Sequence, residues 1–402
     1  MTRRWRPWGL LLVFVAAAAI GFLGPIFLQR RRAEIEVREW LEIVTSEPAE
    51  ERPTGAQALL RELRGELCSA QEQEDGLFSD GFPTNTVTAL LESGSLEGGS
   101  EHPLTAQLEC LEQILSSSAG RIQLVGSRTS RVSVVPDYEA LMDPQMQTRD
   151  CFSLWIDLLI VAAFEGGEGS DAAYGLGRAL DVARLMDNSL MVGGLRRAFG
   201  QSRVYGASYL LLEQKFVSPA QLRGELEHRL VRNVELDYPG TVFMAERSFS
   251  ARALQKLALE ERICAGFSGD LRGVMDQLRE LERYTAIARL PPEDFIDALS
   301  ETPSGGKAPG MLYRDYLTSL HTHVAMGQML RVALALAEHR ERQGGWPSDL
   351  ERVAGAFPEG LPLDPHTGEP FLYEVEDGAI SLGPPAIAVL QGEGPSLVRT
   401  LR

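Results

Sequence analysis

Residues 151–163 read Cys151-Phe152-Ser153-Leu154-Trp155-Ile156-Asp157-Leu158-Leu159-Ile160-Val161-Ala162-Ala163, with Asp157 as the only charge. Within this run Phe152, Trp155, Ile156, Leu159, Ile160 and Ala163 recur at i, i+3, i+4, i+7, i+8 and i+11, the spacing of one buried helix face. After a glycine-rich break from Gly166 to Gly169, the same spacing returns in Leu176, Ala179, Leu180, Ala183 and Met186. A further helix is expected from Leu190 to Phe216. Ser218-Pro219 then has the form of an N-cap followed by proline at the first helical position, with Leu222, Leu226 and Leu230 behind it. Helices are also expected at Thr241–Gly266 and Asp270–Ala288. The chain is therefore read as mainly α, with a body of antiparallel helical hairpins forming an irregular or repeat-like bundle. No fixed repeat period stands out, so no repeat family is assigned.

Toward the C-terminus, Ser300–Gly310 collects Pro303, Gly305, Gly306, Pro309 and Gly310 and marks a domain boundary. A long helix follows from Met311 to Arg342, with Leu320, Val324, Gly327, Leu330, Leu334 and Ala337 along one side. It stops at Gly344-Gly345, and Trp346-Pro347-Ser348-Asp349-Leu350 starts a short helix ending near Phe357. Asp364-Pro365-His366-Thr367-Gly368 is a turn. Pro370–Val375 and Ala379–Leu382 are strands joined by the hairpin turn Asp377-Gly378. The tail after Pro385 shows no pattern.

Toward the N-terminus the body is less regular. Val87, Leu90 and Leu91 mark a short helix, and helices are expected at Glu34–Val44, Gly55–Ala70 and after Pro103. Ile122–Val135 alternates loosely, as a hairpin would. At the extreme end, Arg3, Arg4 and Arg6 precede an uncharged apolar run from Trp8 to Leu28, and Arg30, Arg31 and Arg32 close it. At 1.5 Å rise per residue this run reaches across a bilayer core of about 30 Å. It outlasts an ordinary signal-peptide core, so a retained anchor is expected in preference to a cleaved leader. The arginines balance, so the positive-inside bias is nearly cancelled; a large C-terminal body translocates largely regardless of charge. The expected topology is a single pass through the inner membrane, with the body outside the cytoplasm. Four regions result: an anchor at 1–32, a membrane-proximal helical region at 33–149, a helical-hairpin domain at 150–302, and a long helix plus a small α+β module at 311–402.

The chain has 402 residues, 44% of them hydrophobic, and a formal net charge of −17. Such a composition supports a packed core, and its acidity argues against a nucleic-acid partner, which requires a basic face. The four cysteines Cys68, Cys110, Cys151 and Cys264 form no C-x-x-C pair, so neither a zinc ribbon nor a thioredoxin-like site is expected. Buried thiols are the expected state, and Cys68 with Cys110 is the disulfide pair worth testing.

The C-terminal layout carries a resemblance. Gly345-Trp346-Pro347, Leu361-Pro362-Leu363-Asp364-Pro365, Gly368, Pro370-Phe371-Leu372-Tyr373 and Ser381-Leu382-Gly383-Pro384 follow a long helix in this order. This resembles the C-terminal domain of the major pseudopilins of type II secretion systems, over Ala325–Pro384. The resemblance implies a small α+β module and association with a secretion or pilus-like machine. The chain departs from that family in two places. Gly9 is followed by Leu10, Leu11, Leu12 and Val13, without the glutamate that pseudopilin assembly needs. Pro385 and Ala386 also stand where the family has calcium-binding acids. The whole plan also resembles single-pass bacterial envelope proteins.

Candidate sites are few. Gly167-Glu168-Gly169-Ser170-Asp171-Ala172 fits G-x-G-x-x-A, but the segment before it has helical spacing and its acids repel phosphate, so a helix–helix loop is expected. His321 and His323, at i and i+2 on a helix, point to different faces and are not a metal pair. Asp364 and His366 share a turn, where aspartate has a conformational role. There is no G-x-S-x-G elbow, and Gly266-Phe267-Ser268-Gly269 is a loop-like fragment. No catalytic, cofactor-binding or metal-ligating residue, no cofactor and no small-molecule substrate is assigned. The expected function is a membrane-anchored, non-enzymatic scaffold for an envelope protein partner. The alternatives are an accessory subunit of a type II secretion or pilus-like machine, and a cell-envelope hydrolase with one or two buried acids.

Overall fold

A computed structural model describes residues 83–94, 151–165, 169–185, 191–234, 279–301, 309–385 and 399–401, with isolated positions 31, 35 and 113. The Trp8–Leu28 anchor, the Cys68/Cys110 pair, Cys264, and the helices expected at Gly55–Ala70 and Thr241–Gly266 lie outside the described residues, as do those at Glu34–Val44 and after Pro103 but for positions 35 and 113. So do the Ile122–Val135 hairpin and Gly266–Gly269. Among the described residues, no helix is long and apolar enough to cross a membrane.

The described chain is mainly helical with a small antiparallel sheet. In order, α1 spans Thr84–Ser93, α2 Cys151–Glu165, α3 Gly169–Leu185, α4 Met191–Glu213 and α5 Pro219–Val234. Then come α6 over 279–287, α7 over Pro292–Ser300 and α8 over Pro309–Gln343. A 3-10 helix covers Leu350–Ala356, and strands β1 (Leu372–Glu376), β2 (Ala379–Gly383) and β3 (Arg399–Leu401) follow.

The apolar run at 151–163 lies in α2, which packs on α3, and α3 packs on α4 and α5. Local chemistry sets the junctions. The hydroxyl of Ser218 accepts from the Gln221 amide at 3.2 Å, capping α5 with Pro219 as its first residue. Gly169 opens α3 directly against the end of α4, where a Cβ would lie 2.9 Å from the Phe216 carbonyl oxygen. Close approach therefore explains this glycine. Gly169, Ser170, Asp171 and Ala172 of the G-x-G-x-x-A stretch, expected as a loop, form the first turn of α3, and the described element before them is the helix α2.

Helix α8 differs from its expected one-sided pattern. Residues 327–336 are buried without interruption, which makes this segment a central helix covered all round. It lies against α4, α5, the 3-10 helix and β2. One buried cluster joins Trp155 of α2, Leu176 of α3, Leu226 of α5, Leu334 of α8, Phe357, and Ile380 of β2. A second joins Tyr284 of α6, Phe295 of α7, and Tyr313, Leu317 and Leu320 of α8. Both clusters therefore draw on residues from each side of the Ser300–Gly310 stretch, because α8 threads through both.

The sheet order is β1-β2-β3. The hairpin register runs from Leu372↔Gly383 to Glu376↔Ala379. Asp377 and Gly378 both take positive φ, 49° and 77°, as a two-residue type I′ turn demands. Strand β3, in the tail where the sequence shows no pattern, pairs Leu401 with Ile380 and Arg399 with Leu382. Helix α7 was also not singled out by periodicity, and the short helix after Asp349 is 3-10, capped by the Asp349 carboxylate accepting from the Arg352 amide.

Candidate functional site

Several polar groups are buried among the described residues, and three centres bear on the site. The first is built on the turn after the 3-10 helix. Asp364 Oδ1 accepts from the His366 amide at 3.1 Å and pairs with His366 Nδ1 at 2.9 Å, while Thr367 Oγ1 donates to Oδ2 at 3.2 Å. The Asp364 amide donates to the Glu369 carbonyl, and the Gly368 amide to the Asp364 carbonyl, both at 2.8 Å. Aspartate here organises its own turn, as its position suggests. Asp364 and His366 are nonetheless both fully buried. Burial works against the charge of Asp364, but the hydrogen bonds and field of His366 hold its carboxyl below its ordinary range. A carboxylate only accepts, so His366 Nδ1 donates the hydrogen bond to Asp364. Nε2 has no hydrogen-bond partner among the described residues.

His321 of α8 completes this centre. Its ring centre lies 5.5 Å from that of His366, and it stacks on Phe295 of α7 at 4.0 Å with 12° between planes. Both His321 nitrogens are shut off from solvent and lack a hydrogen bond of normal geometry. Burial pushes its pKa down to about 3, and His366 pushes the same way. The Pro365 carbonyl and Asp364 favour the charged form only in part. His321 is therefore neutral at pH 7.

His323 faces away, as the i, i+2 spacing requires. Its Nδ1 lies 3.0 Å from Ser202 Oγ, its Nε2 meets Gln201 Oε1, and its ring stacks on Tyr205 at 5.1 Å, all three partners on α4. Burial and the nearby Arg197 bring its pKa down to about 3.

The second centre surrounds Arg331, which is 3% exposed. Its guanidinium binds Glu227 of α5 at 2.7 Å, Gln328 at 2.9 Å, and Glu359 beyond the 3-10 helix. Arg223 of α5 binds Glu338 at 2.9 Å, and both arginines lie 5.5 Å from the Phe357 ring centre. The third centre is Asp157 of α2, fully buried, which takes Arg203 of α4 at 2.5 Å and the Thr84 hydroxyl of α1 at 2.8 Å.

Chemically the three differ. The acids of the second and third centres are engaged by arginines, an arrangement that ties helices together. Asp364 and His366 form an oriented carboxylate–imidazole pair; the Thr367 hydroxyl is spent on the carboxylate, and the ring neighbours of His366 are a second imidazole and a phenyl ring. Among the described residues, no three or more His, Cys, Asp or Glu side chains converge in a way that would hold a metal ion.

Sequence reasoning separated His321 from His323 and placed Asp364 with His366 on a turn. It did not bring His321 to His366. Those residues are distant in the chain, and only the fold of the turn back onto α8 joins them. The continuous apolar run after Arg331 was the available sign that this arginine is buried.

No protein-family model, no curated protein and no solved structure matches the chain.

Proposed function

We propose that this chain is a single-pass inner-membrane protein, anchored through Trp8–Leu28, whose extracytoplasmic body is a non-enzymatic scaffold for another envelope protein. The observation that carries the reading is the outer edge of β1. This strand ends the sheet order, and it exposes Leu372 at 54% and Val375 at 46%, with Leu363 at 45% nearby. A strand edge that no strand among the described residues covers, flanked by apolar side chains, favours docking of an extended segment through main-chain hydrogen bonds. The edge sits on a firm base. The Trp346 indole donates to the Gly378 carbonyl at 2.9 Å and the Tyr373 hydroxyl to the Pro347 carbonyl at 2.7 Å.

Deleting the chain from Met311 onward is a poor test, because it removes α8 from the core. A photo-cross-linking residue at Val375 in the full chain, compared with one at the exposed Arg352, is a better one. One stoichiometric envelope protein trapped from position 375, and lost when Leu372→Lys is added, is the expected result. Equal labelling from both positions, or none from 375, contradicts it.

A second reading is an accessory subunit of a type II secretion or pilus-like machine. Its support is that residues carrying the pseudopilin resemblance touch one another: Trp346 and Pro347 at the bend hold the hairpin through Gly378 and Tyr373. Components of such a machine trapped at position 375 favour this reading, and an unrelated partner counts against it.

A further inference from the structure

We propose that the contact between His321 and His366 is an acid-released latch, holding the 363–368 turn onto α7 and α8. The turn is a self-contained unit. Its own hydrogen bonds, Asp364 to Glu369, Gly368 to Asp364, and His366 and Thr367 to the Asp364 carboxylate, persist if it moves as a body. Against the helices it presents rings. His366 meets His321 at 5.5 Å and Phe295 at 6.2 Å between centres.

Two imidazoles held 5.5 Å apart, tilted 49° to each other and without a shared hydrogen bond, tolerate each other only while at least one is neutral. The charged and titratable groups that His321 faces belong to the turn, namely Asp364 and His366, and α7 contributes the uncharged Phe295. A proton arriving on His321 would lie beside a second imidazole, against a phenyl face and away from water. It is taken up after the turn has lifted and the ring has met solvent. Acid therefore favours the open form. A histidine that binds its proton only when open shifts the opening equilibrium about tenfold per pH unit below its free value near 6.5. The latch does not depend on the scaffold reading, although the module it releases carries the β1 edge.

The test is hydrogen exchange of the full chain in detergent between pH 7 and pH 5, corrected for intrinsic rates. Amides of 363–368 are expected to lose protection steeply with acid in the natural chain. In His321→Phe, which keeps a ring on Phe295 and removes the His321 imidazole, the loss of protection with acid should be shallower by about tenfold per pH unit. The same acid loss in both chains overturns the proposal. A second measurement guards against a variant that fails to fold. In the natural chain, selectively labelled imidazole resonances should show His321 neutral wherever the turn remains protected. A His321 that titrates near pH 6.5 with the turn still closed contradicts the latch.

Discussion

The two halves of α8 bury polar groups in opposite ways. From Ala325 to Leu336 the helix lies in a core that is mostly aliphatic but includes Tyr205 and Phe357, and its buried charge, Arg331, meets the carboxylates Glu227 and Glu359. From Tyr313 to His323 it lies among aromatic rings, with Tyr284 and Tyr313 5.9 Å apart, and its buried groups are neutral imidazoles. Arginine cannot shed its charge, so it can be buried only together with carboxylates. Histidine sheds its proton near neutrality and can be buried uncharged, but only above a certain pH. One helix therefore has a half whose interior is insensitive to mild acid and a half whose interior is not.

Substitutions separate these modes. The largest effect is expected from Leu334→Ala in the aliphatic half, about 2–5 kcal/mol for an emptied core site, read from urea unfolding. Arg331→Ala comes next at about 3 kcal/mol, the low end for a broken buried pair, because Glu227 and Glu359 keep some water. If Arg331→Ala proved neutral, the arginine centre would not be the tie between α5, α8 and the 3-10 helix.

In the histidine half the effect depends on pH. His321 and His323 are held near 3 in the fold and take their ordinary value near 6.5 when unfolded. The unfolded chain therefore binds the extra protons. Stability is complete above about pH 6.5 and is lost as pH falls toward 3, by about 1.4 kcal/mol per pH unit for each histidine. His321→Phe should remove one such slope in unfolding curves taken from pH 7 to 5. An unchanged slope would mean that His321 does not titrate with unfolding. Asp349→Ala removes the cap of the 3-10 helix and should lower stability less than Leu334→Ala or Arg331→Ala in unfolding curves. Leu372→Lys, on the open edge of β1, should change stability by less than about 0.5 kcal/mol while abolishing cross-linking at position 375.

How far these features could be read from sequence follows from their range. Ser218-Pro219, Asp377-Gly378 and the spacing of Phe152, Trp155, Ile156 and Leu159 are local, and local stereochemistry decides them. The all-round burial of α8 was only half visible. Leu330 and Leu334 lie on the expected side, whereas Val332, Ala333, Leu336 and Arg331 are buried by helices from elsewhere in the chain. Strand β3 is too short for alternation to show, and it exists because Ile380 and Leu382 offer it an edge. The His321–His366 contact depends wholly on tertiary structure. Its members are unremarkable singly, and neither spacing nor composition announces that a turn will close over a helix.

The most direct test compares amide protection in 329–336 of α8 with that in the 363–368 turn, at pH 7 and at pH 5, in the full chain. The hydrogen bond from Arg331 holds the Glu359 carboxyl below its ordinary range against the opposing effect of burial, so the Arg331–Glu359 pair should stay charged at pH 5. The expected result is a loss of protection in the turn well beyond that in 329–336. Equal losses in the two segments, or none in the turn, would contradict the division of α8 into an acid-insensitive half and an acid-sensitive one.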